Sequence, residues 1–297
     1  LALTTPGIDV LQIRRSPGVK KYVHIVHAVG DIHTYKFYSF DYYDAVFCSG
    51  PGQAESLRRL EELRGTSHKD LPLLGCPYLD VYAARAEQVG VPEPRTILVA
   101  PTWGRNGLLT RTGSLVPKLL ASAGYHVILR PHPQSFISDR EVMERVAADL
   151  QTCKNVEWDR NPDGFSSLSR ASLMVSDVSG VIFDFAFVFL RPVISVGNGP
   201  LKEGFEAWEI PHEAWEMKAL DQIGRRVPAG NESGIPAVVE EMLGDLTTQT
   251  EVIRRVRDEN VVNFGHAGGP IADALVVAAQ AHSVQLQSSL PSSVEAA

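Results

Sequence analysis

The sequence has few cysteines and no hydrophobic run long enough to cross a membrane. Its three cysteines, Cys48, Cys76 and Cys153, are odd in number and far apart, so they indicate neither a disulfide framework nor a metal site. We expect buried thiols in a reducing compartment. The longest apolar run, residues 181–190, is about half as long as the roughly 20 residues that a membrane-spanning helix needs.

Basic residues are also fewer than acidic ones, 28 Lys and Arg against 35 Asp and Glu. The 297 residues carry a net charge of −7, and the isoelectric point is about 5.7. A general binder of nucleic acids needs a basic surface to meet phosphates, so the charge balance argues against that class of protein. It is compatible with one small anionic ligand that is held by a local cluster of polar groups.

What the sequence does have is a regular alternation of short apolar strands with helices. From residue 95 onward, this pattern predicts a parallel sheet that is covered by helices on both faces. The expected strands are 96–99, 125–129, 156–158, 173–175 and 192–196. Helices are expected over 114–123, from residue 179, and from a capping box at 138–141.

We therefore predict an α/β protein of two Rossmann-like, doubly wound domains with a cleft between them. Residues 1–90 repeat the pattern less completely and form the first domain, which we expect to be truncated. Residues 91–282 form the second domain, and residues 283–297, rich in Ser, Gln and Ala, form a disordered tail. Ligands of such sheets bind beyond the carboxyl ends of the strands.

Polar residues follow three of the predicted strands in the second domain. Because the carboxyl ends of parallel strands meet at one edge of a sheet, we expect these residues to converge on a phosphate-bearing ligand, a nucleotide above all. They are Thr102, Trp103, Arg105, Arg130, His132, Ser176, Asp177, Ser179 and Gly180.

Each of these groups has a chemistry that suits a nucleotide. Arg130 offers a planar fork to phosphate oxygens. His132 lies between two prolines that stiffen its loop, and it can donate to a phosphate or move a proton. Free N–H groups near Ser179 and Gly180, at the start of a helix, make an anion site. Asp177 can accept hydrogen bonds from ribose or alditol hydroxyls.

Further candidates have an ordinary structural explanation beside the functional one. Trp103 can stack on a base or fill the domain core, and Asp184, one turn into an apolar helix, can bind ligand or be a satisfied buried carboxylate. His266, in a glycine-rich turn, either closes on the ligand or belongs only to a loop. His27 ends the strand 22–26 of the first domain, where a histidine that faces the cleft can act as a general base.

These segments together resemble the CDP-glycerol glycerophosphotransferase family, which contains the teichoic-acid and capsule polyol-phosphate transferases. The chain differs from the family pattern at three positions, which indicates a divergent member. Ala28 replaces the glycine that usually follows the first-domain histidine, and Gly180 replaces a serine. The family's Trp-Arg pair is Trp103-Gly104 here, with Arg105 one place later. The segments that carry the resemblance are Leu74-Gly75-Cys76-Pro77-Tyr78-Leu79-Asp80, Ala100-Pro101-Thr102-Trp103, Arg130-Pro131-His132-Pro133, Ser176-Asp177-Val178-Ser179-Gly180-Val181-Ile182-Phe183-Asp184 and Arg191-Pro192-Val193-Ile194.

The resemblance implies a glycosyltransferase-B-type fold and an enzyme that moves a polyol phosphate, such as glycerol phosphate, from a CDP-activated donor. The acceptor would be a hydroxyl of a cell-surface polymer or lipid-linked glycan, on the side of the first domain, and CMP would be released. His27 would activate that hydroxyl, while Arg130, His132 and the amides near Ser179 would bind the diphosphate. It also implies no cofactor beyond the CDP-alditol and a cytoplasmic location, either free or peripheral at the inner face of the cytoplasmic membrane. Since no cluster of carboxylates has the spacing of a metal site, we expect no essential metal.

Two other functions fit the same scaffold. A nucleotide-sugar glycosyltransferase or a UDP-sugar 2-epimerase would place its nucleotide at similar strand ends. A nucleotide-binding subunit without turnover is the alternative outside catalysis, and the abbreviated first domain and the substitutions at Ala28 and Gly180 motivate it.

Overall fold

The computed structural model describes residues 1–11, 13–177, 179–197, 199 and 202–289, with side chains described as far as residue 280. The first lobe contains three parallel strands in the order β1-β2-β3, and residues 70 and 73 form parallel bridges at the outer edge of the last one. Its elements are β1 (Ala2–Leu3), β2 (Val23–Ile25), β3 (Ala45–Phe47), α1 (Pro51–Arg64) and α2 (Pro77–Ala86).

The second lobe is built on six parallel strands. They are β4 (Thr96–Val99), β5 (His126–Leu129), β6 (Val156–Trp158), β7 (Leu173–Ser176), β8 (Val193–Val196) and β9 (Gly224–Val227). Their spatial order is β6-β5-β4-β7-β8-β9, the arrangement found in Rossmann domains, and the order reverses between β4 and β7. The first five of these strands lie where the sequence predicts them, whereas β9 was not expected.

Helices cover both faces of this sheet, and three short 3-10 helices lie at Ile32–Thr34, Glu206–Trp208 and Glu232–Gly234. In the part of the chain that the structure describes, no helix is long and apolar enough to cross a membrane. The helices are α3 (Leu108–Thr112), α4 (Leu115–Ser122), α5 (Ser135–Ser138), α6 (Arg140–Leu150), α7 (Phe165–Arg170), α8 (Val181–Phe189), α9 (Trp215–Ile223), α10 (Ile235–Leu243), α11 (Leu246–Asn260) and α12 (Gly268–Ser289).

Two apolar cores sandwich the second sheet, which explains why its strands are apolar at every position. Successive side chains of a strand point to opposite faces. Ile97 and Val99 of β4 accordingly pack in one core, and Leu98 packs in the other. The predicted fold class, α/β with two Rossmann-like lobes of glycosyltransferase-B type and a cleft between them, is confirmed.

The capping box predicted at 138–141 is wrong. Helix α6 begins at Arg140, and Asp139 makes no side-chain bond to its own helix. The Oδ2 atom of Asp139 instead accepts a hydrogen bond from the backbone N–H of Gly104, at 2.7 Å, in the loop after β4. Ser138, the expected N-cap, is instead the last residue of α5, so the capping box does not form.

Three segments cross between the lobes. Leu79 and Tyr82 of α2 pack in the core of the second lobe, although they precede the expected boundary at residue 90. In return, Ile210 belongs to the core of the first lobe, and Ala267 and Ile271 pack beside the strands of the first sheet. The two lobes are therefore joined by interlocking side chains as well as by the chain itself.

Helix α12 continues to Ser289, so the disordered tail expected from residue 283 is helical in its first part. Gln285, Leu286 and Gln287 in this part are good helix formers. Residues 290–297 of the expected tail lie outside the described residues.

Candidate active site

The candidate site lies where the strand order of the second sheet reverses. The loops that follow β4, β5 and β7 meet there, opposite residues 27–35 of the first lobe. Two adjacent cavities open in this cleft, and Thr34, Thr102 and Trp103 line both of them. The cavities thus form one continuous groove between the lobes.

We name the two cavities by their linings. The histidine cavity has a volume of about 480 Å³, and its lining includes His27, His132, Ser179, Gly180 and Glu216. The loop cavity has a volume of about 590 Å³, and its lining includes Trp103, Arg105, Arg111, Gly197 and Phe205.

His27 is exposed at the cleft, in the loop of residues 27–31 that follows β2. Gln53 of α1 holds this loop, because its Nε2 atom donates to the carbonyls of Ala28 and Gly30, at 3.3 and 2.6 Å. The imidazole also packs edge to face with the ring of Tyr35, at 6.1 Å between centroids. Ala28 has no positive φ, so the loop does not require glycine there.

His132 reaches the same cavity from the second lobe. Its Nδ1 atom accepts a hydrogen bond from the backbone N–H of Gln134, at 3.1 Å. Burial lowers the pKa of the imidazole, so the neutral ring prevails at pH 7. A neutral ring that accepts at Nδ1 carries its proton on Nε2, which makes that atom a hydrogen-bond donor. The ring lies 6.3 Å from that of Trp103.

The start of α8 faces the histidine cavity. The carbonyls of Ser179 and Gly180 accept the first backbone hydrogen bonds of this helix, from Ile182 and Phe183. N–H groups at a helix start are not used within the helix and attract anions. A side chain at Gly180 would meet no atom within 4 Å, so glycine leaves open space there.

Arg130 does not line either cavity. Its guanidinium forms an ion pair with Asp159, at 2.6 Å, and donates to the backbone carbonyl of Asn161, at 2.7 Å. Asp159 follows β6, the strand next to β5, so the arginine is turned along the sheet edge and away from the cleft. The expectation that Arg130 joins His132 around a diphosphate does not agree with this geometry.

Asp177 and Ser176 are buried and serve the backbone of the neighbouring loop. The carboxylate of Asp177 accepts hydrogen bonds from the N–H groups of Thr102 and Leu108, at 2.9 and 2.6 Å. Ser176 donates to the carbonyl of Ala100 at 2.6 Å. Asp177 touches the wall of the loop cavity, but its oxygens are engaged. The two side chains therefore shape the 100–108 loop, in contrast to the expected role of direct ligand contact.

Two further candidates lie outside both cavities. Asp184 is half-buried on α8, and burial raises the pKa of its carboxyl group to about 7. It lies near Cys76 and Tyr78 of the segment that enters α2. His266 is exposed in the loop before α12 and is not part of the cleft lining. Both positions fit the structural explanation better than the functional one.

The sequence analysis missed three ionisable groups of the cleft. Arg111 of α3 places a fixed positive charge at the loop cavity, and its side chain donates to the carbonyls of Val196 and Asn106, at 2.8 and 3.0 Å. Asp31 and Glu216 are carboxyl groups of the histidine cavity. Nothing in their local patterns distinguishes them from solvated helix and loop residues, because the cleft is formed by chain segments that are far apart in sequence.

Histidines and acids of the described residues do not form a metal centre. No group of three or more His, Cys, Asp or Glu side chains within the described ranges has an arrangement that could hold a metal ion. Arg105 and Arg111, at the loop cavity, are the kind of groups that can balance phosphate charge without a metal.

The fold and the cleft define the class of two-lobed, glycosyltransferase-B-type proteins. No protein-family profile and no curated protein matches the sequence. Solved structures do match it. A variant of the wall teichoic acid polymerase TagF has a TM-score of 0.61 and 15% identity, over 95% of this chain and 73% of that chain.

Two further matching structures were determined with a ligand, CDPG in one and UDP-GlcNAc in the other. A TagF variant soaked with CDPG has a TM-score of 0.58 and 17% identity, over 92% of this chain and 70% of that chain. The UDP-GlcNAc 2-epimerase from Neisseria meningitidis, bound to UDP-GlcNAc, has a TM-score of 0.55 and 12% identity, over 86% and 70% of the two chains. At these identities the likeness establishes the fold alone.

Proposed function

We propose that this protein transfers a polyol phosphate from a CDP-activated donor to a hydroxyl of a glycan or polymer acceptor and releases CMP. The observation that carries this proposal is the histidine cavity, in which His27 of the first lobe and His132 of the second lobe line one space beside the start of α8. Two histidines on opposite walls suit a reaction that joins an acceptor from one lobe to a donor held by the other.

In the proposed complex the donor lies along the groove. Its diphosphate occupies the histidine cavity, where the Nε2–H group of His132 and the backbone N–H groups at the start of α8 are available to oxygen anions. Its nucleoside occupies the loop cavity, where Trp103 and Phe205 offer aromatic faces. Arg105 and Arg111 contribute positive charge at that end.

The chemical step needs one proton acceptor and one site of negative charge. His27 takes the proton of the acceptor hydroxyl as its oxygen attacks the phosphorus that bears the polyol. The bond from that phosphorus to the bridging oxygen breaks, and the electron pair leaves with CMP. His132 and the start of α8 stabilise the charge that develops on the bridging oxygen. Positioning and electrostatics supply most of the acceleration in such a reaction.

The structural neighbours support the proposed transferase function and one competing function. TagF is described as a wall teichoic acid polymerase, which agrees with the family that the sequence resembles. The UDP-GlcNAc 2-epimerases share the fold equally well, so a uridine diphosphate sugar is the second candidate ligand. The nucleotide preference separates the two functions.

The test combines binding with turnover. Thermal unfolding is followed with CDP-glycerol, CDP, UDP-GlcNAc and UDP, because a ligand at 100 times its Kd adds about 2.7 kcal/mol of stability. We expect stabilisation by the cytidine compounds and release of CMP from CDP-glycerol when a polyol-phosphate acceptor is present. His27→Ala and His132→Ala should each abolish CMP release.

The matched control is His68→Ala, because that histidine is largely exposed and lies outside both cavities. It should retain full turnover. Selective stabilisation by UDP compounds with epimerisation of UDP-GlcNAc would favour the competing enzyme. Stabilisation by CDP-glycerol without any CMP would favour a binding subunit, and full activity of both cleft-histidine variants would refute the mechanism.

A further inference from the structure

Glu216 links the second lobe to the loop that carries His27. It lies in the first turn of α9 and lines the histidine cavity. Its Oε1 atom lies only 2.3 Å from the place that a Cβ atom on Gly30 would occupy, and its carboxyl group lies near the neighbouring residue, Asp31. The 27–31 loop is thus held by Gln53 from its own lobe and by Glu216 from the opposite one.

The start of α9 is anchored firmly enough for this contact to be specific. His212 connects to the first lobe twice, through its carbonyl, 3.1 Å from Nε2 of His33, and through its own Nε2 atom, 3.1 Å from Oγ of Ser56. The indole of Trp215 lies against Gly52 at the start of α1, where a Cβ atom would be 2.4 Å from Cδ1. Glu216 therefore approaches the loop on a helix whose position is fixed by several contacts.

The charge environment of Glu216 favours a neutral carboxyl group. Burial, and secondarily the nearby carboxylate of Asp31, raise the pKa of Glu216 to about 8. Asp31 and Tyr35 of the first lobe act on it directly, and burial raises the pKa of the Tyr35 phenol. His27, His33 and His132 line the same cavity, and Nδ1 of His33 lies 3.3 Å from Oδ2 of Asp31. Within the described ranges no cation forms a salt bridge with Glu216.

We propose that Glu216 is a positioning residue of the active site, whose carboxyl group holds the 27–31 loop, and with it His27, against the cleft. When Glu216 loses its proton, two carboxylates face each other in a partly dry space, and their repulsion pushes the loop away from α9. Activity is then lost although His27 itself is unchanged. The activity readout of this inference rests on the proposed function, whereas its stability readout does not.

The first experiment measures unfolding of the wild type and of Glu216→Gln between pH 5 and pH 9. A carboxyl group whose pKa is higher in the folded than in the unfolded state contributes stability below the unfolded value, and loses that contribution as the pH rises through the folded value. The wild type should therefore lose midpoint temperature relative to Glu216→Gln as the pH rises from about 5 to about 8. Glutamine has the same shape and stays uncharged at every pH.

The second experiment measures CMP release from CDP-glycerol over the same range. Wild-type kcat should fall above about pH 8, and Glu216→Gln should keep its activity and lack that alkaline decline. Glu216→Asp retracts the carboxyl group by one methylene, so kcat should fall by up to about 100-fold. The Kd of the donor should stay unchanged, because the groups proposed to hold the donor belong to other segments.

The matched control is Glu213→Gln, an exposed glutamate just before α9, which should alter neither profile. Identical pH dependences of stability in the wild type and Glu216→Gln would overturn the inference. So would an unchanged alkaline decline of kcat in that variant. If no CDP-alditol is turned over, the proposed function fails, but the comparison of unfolding temperatures still tests the role of Glu216.

Discussion

At the scale of single residues, the loops of the cleft contain groups of two kinds. His27 and His132 face the cavity with ring nitrogens available to a ligand. The charged groups of Arg130 and Asp177 are instead hydrogen-bonded within the protein. The second kind is as necessary as the first, because Asp177 holds the loop that carries Trp103. Under the proposed function, loss of either kind should reduce activity, but only loss of the second should reduce the free energy of unfolding.

Arg130→Ala distinguishes these two effects. The substitution leaves the largely buried carboxylate of Asp159 without its ion pair. We expect the free energy of unfolding to fall by roughly 1.5 to 3 kcal/mol, the usual contribution of a hydrogen bond to a charged group, with little change in the Kd of CDP. Urea unfolding and calorimetric titration measure the two quantities.

The contrasting variant is Arg105→Ala, on the exposed wall of the loop cavity. It should weaken nucleotide binding and leave the unfolding midpoint nearly unchanged. A large loss of CDP affinity in Arg130→Ala, together with an unchanged unfolding midpoint, would contradict the structural role assigned to Arg130.

The sequence allowed the location of His27, His132 and the start of α8 at the cleft to be predicted, because each belongs to one local segment that ends a strand. It did not allow the orientation of Arg130 to be predicted. Asp159 follows a different strand, and it binds the guanidinium that was expected to bind phosphate. Glu216 was missed for a related reason. Its environment is created by the loop of the other lobe, and a helix containing one glutamate looks like any surface helix.

At the scale of secondary-structure elements, one acidic residue connects two helices that are far apart in sequence. Asp80 belongs to the segment that resembles the polyol-phosphate transferases, and its side chain is on α2. Its Oδ1 and Oδ2 atoms accept hydrogen bonds from the N–H groups of Ala267 and Gly268, at 3.0 and 2.7 Å, where α12 begins. The carboxylate satisfies free donors and complements the helix dipole, as an N-cap residue does.

Asp80→Ala should lower the free energy of unfolding by roughly 1 to 2 kcal/mol, because two donors at the start of α12 lose their acceptor. Asp80→Asn keeps one acceptor oxygen and should lose less. Chemical denaturation of the two variants and the wild type measures the difference. Nucleotide affinity should be unchanged in both, since Asp80 lies outside the cleft lining.

The strands β4 to β8 of the second sheet were easier to predict from the sequence than its edge strand β9. The strands β4 to β8 are short apolar runs because both faces of the sheet are covered. The edge strand β9 contains two exposed arginines, Arg225 and Arg226, so its composition resembles a loop. Its backbone nevertheless comes so close to β8 that a Cβ atom on Gly224 would lie 1.8 Å from the carbonyl oxygen of Val193.

At the scale of the whole molecule, a buried ionic cluster fastens a segment of the second half of the chain to the first lobe. Arg64, at the end of α1, forms ion pairs with Glu206 and Glu209 and with Asp41 of its own lobe. Glu206 has no exposed surface and also accepts from the N–H of Ser39, at 3.0 Å. This cluster fixes the segment that leads to His212 and α9.

Arg64→Ala leaves a fully buried carboxylate unpaired, so we expect a loss of roughly 3 to 5 kcal/mol in the free energy of unfolding. Arg59→Ala is the matched control, because Arg59 lies on the same helix and pairs with Glu62 at the exposed surface. That variant should change stability by less than about 1 kcal/mol. Equal midpoints of the two variants in urea would show that the cluster does not stabilise the fold.

The exchange of segments between the lobes limits how the protein can be divided. A cut near residue 90 would remove Ile210, Ala267 and Ile271 from the cores of the first lobe. It would also remove Leu79 and Tyr82 from the core of the second lobe. Each fragment would present bare apolar surface to water and would tend to aggregate. Two fragments produced together should instead recombine into one particle, whereas either fragment produced alone should be insoluble.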